Sequence, residues 1–116
     1  MKKVYHLGTC TTCQAILKET QLAAKGYELQ DIKTQSITPD QLEHMKQLAG
    51  SYEALFSRRA IKYKELGLKD QQLTEADYRR YLSEEYTFLK RPVVINGEQI
   101  FIGNDKKTVE AVKKNA

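Results

Sequence analysis

Lys3 to Leu7 begins the pattern as a short run in which Val4 and Tyr5 favour extended backbone, and Gly8-Thr9 ends it. Thr9 or Thr11 can then cap a helix reaching about Lys25, with Ala15, Ile16, Leu17, Leu22 and Ala23 as its apolar face and Gly26 as its stop. Tyr27 to Ile32 alternates apolar and polar residues, which predicts a second strand and closes a β-α-β unit.

The period then lengthens. Thr38-Pro39-Asp40-Gln41 combines an N-cap threonine, proline at the first helical position and glutamine at the third, so a helix should run to Ala49 and stop at Gly50. Tyr52 to Phe56 reads as a short apolar turn, Ala60 to Leu66 as a helix ended by Gly67, and Thr74 to about Glu85 as a further helix. Tyr78, Tyr81 and Leu82 share a face of that last helix and read as core. The strand pattern returns at Val93-Val94-Ile95. Asn96-Gly97 is a hairpin signal, Gln99 to Ile102 the returning strand, and Asp105 to Lys114 a closing helix.

The order is β-α-β, a helical block, then β-β-α. This is the plan of an α/β thioredoxin or glutaredoxin-like fold, in which a small mixed sheet packs between helices. One domain covering residues 1–116 is expected, with an all-helical insertion over about residues 34–89. A chain of 116 residues is long enough to bury one core without disulfide or metal staples.

Composition adds limits. Hydrophobic residues are 41% and charged residues 29%, which suits a folded chain rather than a disordered one. No apolar run approaches the roughly 20 residues needed to span a bilayer, so no membrane partner is expected. Met1-Lys2-Lys3 is followed by no apolar stretch, since His6, Thr9 and Cys10 arrive at once, which speaks against a signal peptide and makes the protein cytoplasmic by expectation. The net charge of +4 comes from cations spread among Glu and Asp, a solvated mixed surface rather than a footprint for direct nucleic-acid binding.

The candidate chemistry lies in Cys10-Thr11-Thr12-Cys13, which holds both cysteines of the chain and falls where the first strand gives way to the first helix. A thiol at a helix N-terminus meets unpaired N–H groups and the positive end of the helix dipole, which favour thiolate over thiol. Cys13, one turn later, can attack a mixed disulfide formed on Cys10. Three plainer readings compete. Threonines flanking Cys10 argue against inert core cysteines. A zinc site would need His6, and a single CxxC lacks a second ligand pair, so no metal is expected. A permanent structural disulfide suits neither a reducing compartment nor so small a loop.

Arg91-Pro92 stands immediately before the central strand. Pro92 can simply start that strand, with Arg91 a surface cation. In a thioredoxin fold, however, a cis proline here faces the redox cysteine, and Arg91 would turn its guanidinium toward Cys10.

With these residues in hand, the chain resembles the glutaredoxin-linked arsenate reductase family, including its Spx-type branch, over nearly its full length. The resemblance rests on His6-Leu7-Gly8-Thr9-Cys10-Thr11-Thr12-Cys13, Tyr63-Lys64-Glu65-Leu66-Gly67-Leu68, Lys90-Arg91-Pro92-Val93-Val94 and Ile102-Gly103. It implies a thioredoxin fold with an all-helical insertion and a thiol oxidoreductase in which Cys10 attacks, Cys13 resolves and Arg91 steadies the anion. Thr11, Thr12, Arg91 and Pro92 would then contact the substrate. It also implies no bound cofactor, glutathione as co-substrate, and glutathione, glutaredoxin or thioredoxin as electron donor. The chain departs from the reductases at several points. Ser57, followed by Arg58 and Arg59, stands where they carry an arginine; another is replaced around Ile102-Gly103; and Cys13 stands where they generally have serine. The regulator branch carries a similar CxxC switch and acts on RNA polymerase through its α subunit, which is the alternative function.

Overall fold

The computed structural model describes residues 1–115. The chain divides into two compact units: Met1–Ser36 together with the chain from Arg91 onward, and Ile37–Lys90.

The first unit contains β1 (Lys2–His6), α1 (Thr11–Thr20), β2 (Glu28–Asp31), β3 (Val93–Asn96), β4 (Gln99–Ile102) and α5 (Lys106–Asn115). Its strands form one mixed sheet in the order β2-β1-β3-β4. β1 runs parallel to β2, with His6 opposite Asp31, and antiparallel to β3, with Tyr5 opposite Val93. A parallel pair needs a crossover, and α1 supplies it. β1 and β3 are central and buried on both faces, which is why Val93-Val94-Ile95 is continuously apolar rather than alternating. On one face Val4 and Val94 pack with Leu22, Tyr27 and Val112, and Leu17 and Phe101 lie against them. Lys3 is buried in the central strand and reaches Glu28 at 3.0 Å, so its charge has a partner.

The second unit comprises α2 (Pro39–Ala49), α3 (Ile61–Glu65) and α4 (Glu75–Glu84), with short 3₁₀ turns at Glu53–Leu55, Leu68–Asp70 and Tyr86–Phe88. α2 begins with the capping box that its sequence spells: Gln41 N–H donates to Thr38 Oγ1 at 3.1 Å, and Thr38 N–H to Gln41 Oε1 at 3.0 Å. Thr74 and Asp77 cap α4 in the same reciprocal way. The core of this unit is aromatic. Phe56 stacks on Phe88 with centroids 4.9 Å apart and meets Tyr78 at the same distance, with Tyr63 and Tyr81 at its edge.

Three local expectations need correction. α1 does not reach Lys25: it ends at Thr20, and Gln21 takes a left-handed conformation with φ 53°. The chain then turns so that Tyr27 N–H donates to the Leu22 carbonyl at 3.1 Å. Breaking the helix there brings both side chains into the sheet-facing cluster. The second correction concerns the cap of α1, which is neither Thr9 nor Thr11 but Cys10, in extended conformation. The third is the hairpin between β3 and β4, which is offset by one residue. Asn96 pairs with Gln99, so Gly97-Glu98 forms the loop and only Gly97 has positive φ, at 63°.

Candidate active site

β1 delivers the chain to the nucleophile. After His6 the backbone turns through Leu7-Gly8-Thr9-Cys10, closed by a bond from Cys10 N–H to the Leu7 carbonyl at 3.0 Å. The next residue starts α1, and the Cys10 carbonyl accepts the first helical bond, from Gln14 N–H at 3.0 Å. Cys10 is therefore the residue at which strand geometry changes to helix, and its sulfur lies at the helix N-terminus. It is half-buried, whereas Cys13 is fully buried.

The surroundings separate the two thiols. Burial alone would raise the Cys10 pKa, but it is outweighed by the Cys13 and Thr12 amides, the Cys13 thiol and the positive charge of Arg91, so Cys10 lies below an ordinary cysteine. The amides act on the sulfur without forming the tight side-chain cap that Thr38 makes on α2. No acidic residue occupies the first turn of α1, so nothing there competes with a sulfur anion for the helix's positive end. Cys13 is pushed up to about 11, first by burial and then by its hydrogen bond to Cys10 and that residue's charge. The Leu7 amide and Arg91 oppose this without prevailing. The surroundings favour the anion on Cys10 and the protonated thiol on Cys13, its hydrogen-bond partner. The two cysteines are free rather than joined in a disulfide.

Arg91 is half-buried and linked to Pro92 by a cis peptide bond just before β3. Pro92 is buried, and its carbonyl accepts from Gly103 N–H at 3.0 Å, which ties this turn to the end of β4. Thr11 and Thr12 are exposed in the first turn of α1, where they line an open groove together with Glu19, Asn104, Lys106 and Glu110. The groove runs between α1 and α5. All six sequence-derived site residues lie within the first unit. Arg58 belongs to the second, where it pairs with Glu53 at 2.7 Å and donates to Tyr78 Oη at 3.1 Å.

Two residues around the nucleophile escaped sequence reading. Asp31, at the end of β2, accepts from Gly8 N–H and from Lys33 N–H, the latter at 3.1 Å. Those backbone bonds, strengthened by the charges of His6 and Lys33, hold its carboxyl below the usual range. Gln14 donates from Nε2 to the Gly8 carbonyl. Neither contact follows a local motif. Asp31 reaches Gly8 only because β1 and β2 pair in parallel with His6 opposite it.

Among the described residues, no group of three or more His, Cys, Asp or Glu side chains is placed to hold a metal ion, and no helix is long and apolar enough to cross a membrane. His44 lies in α2, in the second unit.

The chain is similar to the arsenate reductase of Haemophilus influenzae, with 28% identity over 96 residues; the match covers 83% of this chain and 66% of that protein. Its fold is similar to that of a protein related to the ArsC family from Bacteroides fragilis, with a TM-score of 0.79 and 23% identity over 97% of each chain. It is also similar to the arsenate reductase of Vibrio cholerae, with a TM-score of 0.76 and 22% identity over 99% of this chain and 98% of that one. The ArsC family model matches residues 5–112, from the second half of β1 to the last turns of α5, and so takes in the Cys10 turn and Arg91-Pro92 alike. The chain belongs to the ArsC family.

Proposed function

We propose that the chain is a thiol oxidoreductase of the arsenate reductase type, acting through Cys10 as nucleophile and Cys13 as resolving thiol. The observation that carries this reading is the placement of two hydrogen-bonded sulfurs at one helix start, the half-buried Cys10 under the first amides of α1, which favour its anion, and the buried Cys13 behind it, pushed up to about 11. Toward a disulfide substrate, the Cys10 thiolate attacks one sulfur and the other leaves as a thiolate, which takes up a proton. Once Cys10 is bonded to the substrate it carries no charge, and its part in raising Cys13 disappears while Arg91 continues to favour the Cys13 thiolate. Cys13 then loses its proton and attacks Cys10 Sγ. The substrate's remaining half departs as a thiolate, and a Cys10–Cys13 disulfide is left. Two thiols of glutathione, directly or through glutaredoxin, return it to the dithiol and become oxidised glutathione. Thr11 and Thr12, exposed in the turn that follows Cys10, and Pro92 would contact the substrate, and Arg91, whose charge acts on both sulfurs, would supply the cation for an anionic one.

The test couples glutathione, glutaredoxin, glutathione reductase and NADPH to two substrates in parallel: a glutathione mixed disulfide and arsenate. Turnover that Cys10→Ser abolishes supports the reading, and the more active arm names the substrate class. A wild-type chain with no turnover in either arm and a Cys10 pKa near the ordinary value of about 8.5 overturns it.

A regulator reading is favoured by the two free cysteines three positions apart at the start of α1, which a disulfide could join. In that case the Cys10–Cys13 disulfide would switch affinity for the RNA polymerase α subunit. Pull-downs with the oxidised and reduced chain decide it: polymerase retained in one state only supports the switch, and polymerase absent from both excludes it.

A further inference from the structure

The two peptide groups that flank Gly8 are each held by a side chain from a different element. The Gly8 N–H, in the Leu7–Gly8 peptide, donates to the Asp31 carboxylate of β2, and the Gly8 carbonyl, in the Gly8–Thr9 peptide, accepts from Gln14 of α1. The fit leaves no room: a Cβ on Gly8 would stand 2.4 Å from Asp31 Oδ2. Asp31 is itself fixed, since its Oδ1 accepts from Lys33 N–H at 3.1 Å and its strand continues with Ile32 N–H donating to the His6 carbonyl at 2.9 Å. Gly8 is the second residue of the turn that closes from Cys10 N–H to the Leu7 carbonyl. Holding the planes on both sides of Gly8 therefore fixes the angle at which the chain enters Cys10.

We infer that Asp31 is a positioning residue for Cys10, and that Asp31 and Gln14 clamp the two peptides flanking Gly8 and so hold the Cys10 sulfur over the first amides of α1. This rests on Cys10 being the reactive thiol. Its consequence has a sign that separates it from the plainer alternative. Asp31 carries a negative charge, and acting directly across space that charge would disfavour a nearby thiolate. Acting through Gly8, the same residue favours the thiolate, because a turn free to rotate lets the sulfur drift from the Thr12 and Cys13 amides. Amide dipoles fall off within the first turn of a helix, so a small displacement removes much of their effect. Asparagine keeps an acceptor oxygen for Gly8 N–H and removes the charge. Alanine removes both.

The experiment is the pH profile of Cys10 alkylation by iodoacetamide for the wild-type chain, Asp31→Asn, Asp31→Ala and Gln14→Ala, each with its thermal midpoint measured. Cys13 is buried and protonated across the range used, so the reaction reports Cys10. The expected result is an alkylation rate near pH 7 about three- to tenfold lower in Asp31→Ala, through a raised thiol pKa, with Asp31→Asn within about twofold of wild type, since a tenfold change in thiolate corresponds to about one pKa unit. Gln14→Ala should move in the same direction by less. Gln14 is exposed, so this variant reads the clamp even if Asp31→Ala does not fold. An unmoved pKa in Asp31→Ala overturns the inference, as does an equal shift in Asp31→Ala and Asp31→Asn, whether upward or downward. Where Asp31→Ala does not fold, an unmoved pKa in Gln14→Ala overturns it. A lowered thermal midpoint without a shift in the thiol pKa marks a purely structural role for Asp31 and overturns it equally. Alkylation needs no substrate, so a chain that shows this pattern but turns over neither substrate sinks the proposed activity and leaves the clamp standing.

Discussion

The Cys13 thiol is hydrogen-bonded to the Cys10 sulfur, and each pushes the other's pKa in the opposite direction: Cys13 lowers Cys10, and Cys10 raises Cys13. A shared proton explains this mutual part of the shifts, which adds to burial at Cys13 and to the backbone amides at Cys10. Stabilising an anion on one sulfur requires the other to stay protonated as its donor, so the pair titrates as a unit rather than as two independent thiols.

Reactivity should therefore be lopsided. With Cys13 at about 11, its thiolate fraction at pH 8 is only about a thousandth, and its sulfur is buried besides. Cys10→Ser removes the part of the Cys13 shift that Cys10 supplies but leaves its burial, so iodoacetamide should modify this chain slowly under native conditions, while Cys13→Ser should keep a reactive thiol. Mass spectrometry of timed alkylation reads both. The second variant should also hold a disulfide substrate as a stable adduct, because nothing remains to resolve it. Rapid modification of Cys13 in the Cys10→Ser chain would contradict the assigned roles.

Stability should depend on pH through the same pair. Cys10 is lowered on folding, so its contribution is fully present above the unfolded value of about 8.5 and is lost as pH falls through the folded value. Cys13 is raised, so the folded chain binds the proton longer than the unfolded one, and stability falls as pH climbs from about 8.5 toward 11. Urea unfolding of wild type and Cys13→Ala across about pH 9 to 10.5, above most of the Cys10 titration, reads the second effect. Over that range the difference in unfolding free energy between the two chains should shift in favour of the variant, because only wild type carries the raised thiol. A difference that stays flat there would mean that Cys13 keeps an ordinary pKa.

Arg91 favours the charged form of both sulfurs. Arg91→Ala should raise the Cys10 pKa and slow its alkylation near pH 7 by roughly three- to tenfold, the effect of losing one partly solvated neighbouring charge worth up to about one pKa unit. Arg91→Lys keeps the charge without the planar fork, so it should recover thiol reactivity more fully than turnover of an anionic substrate. Comparing the alkylation profile with kcat/KM distinguishes the two roles. Equal losses in both assays would confine Arg91 to tuning the sulfur.

How much of this was readable in the sequence depends on how local its cause is. The α2 start was legible because Thr38, Pro39 and Gln41 act on one another within a single turn, and the structure shows both reciprocal bonds. The position of Cys10 near a helix start was legible from the change of period after Gly8-Thr9, although the capping residue itself was not. The end of α1 was not. Its apolar period continues through Leu22 and Ala23, and only the sheet, by drawing Leu22 and Tyr27 into one cluster, makes Gln21 adopt φ 53° without a glycine to mark it. The hairpin turn was found but misplaced by one residue, because register with β4 rather than turn chemistry puts Asn96 in the strand. Asp31 and Gln14 lay beyond reach altogether. Their link to Gly8 depends on a parallel strand pairing and on the helix phase, neither of which leaves a mark at Gly8 itself.

The capping boxes of the second unit offer a control in which stability and thiol chemistry come apart. Thr38 satisfies the Gln41 amide at the start of α2, and Thr74 does the same for Asp77 at the start of α4. Replacing either by alanine leaves an amide without its side-chain acceptor, at a cost of about 1 kcal/mol. Neither residue belongs to the unit that holds the cysteines. Thr38→Ala and Thr74→Ala should therefore lower the unfolding free energy in urea by that amount while the Cys10 alkylation profile stays on the wild-type curve. If a cap lost in the helical unit also shifted the Cys10 pKa, the thiol could not be tuned by α1, Arg91 and its own turn alone, and coupling between the two units would have to be added to the mechanism.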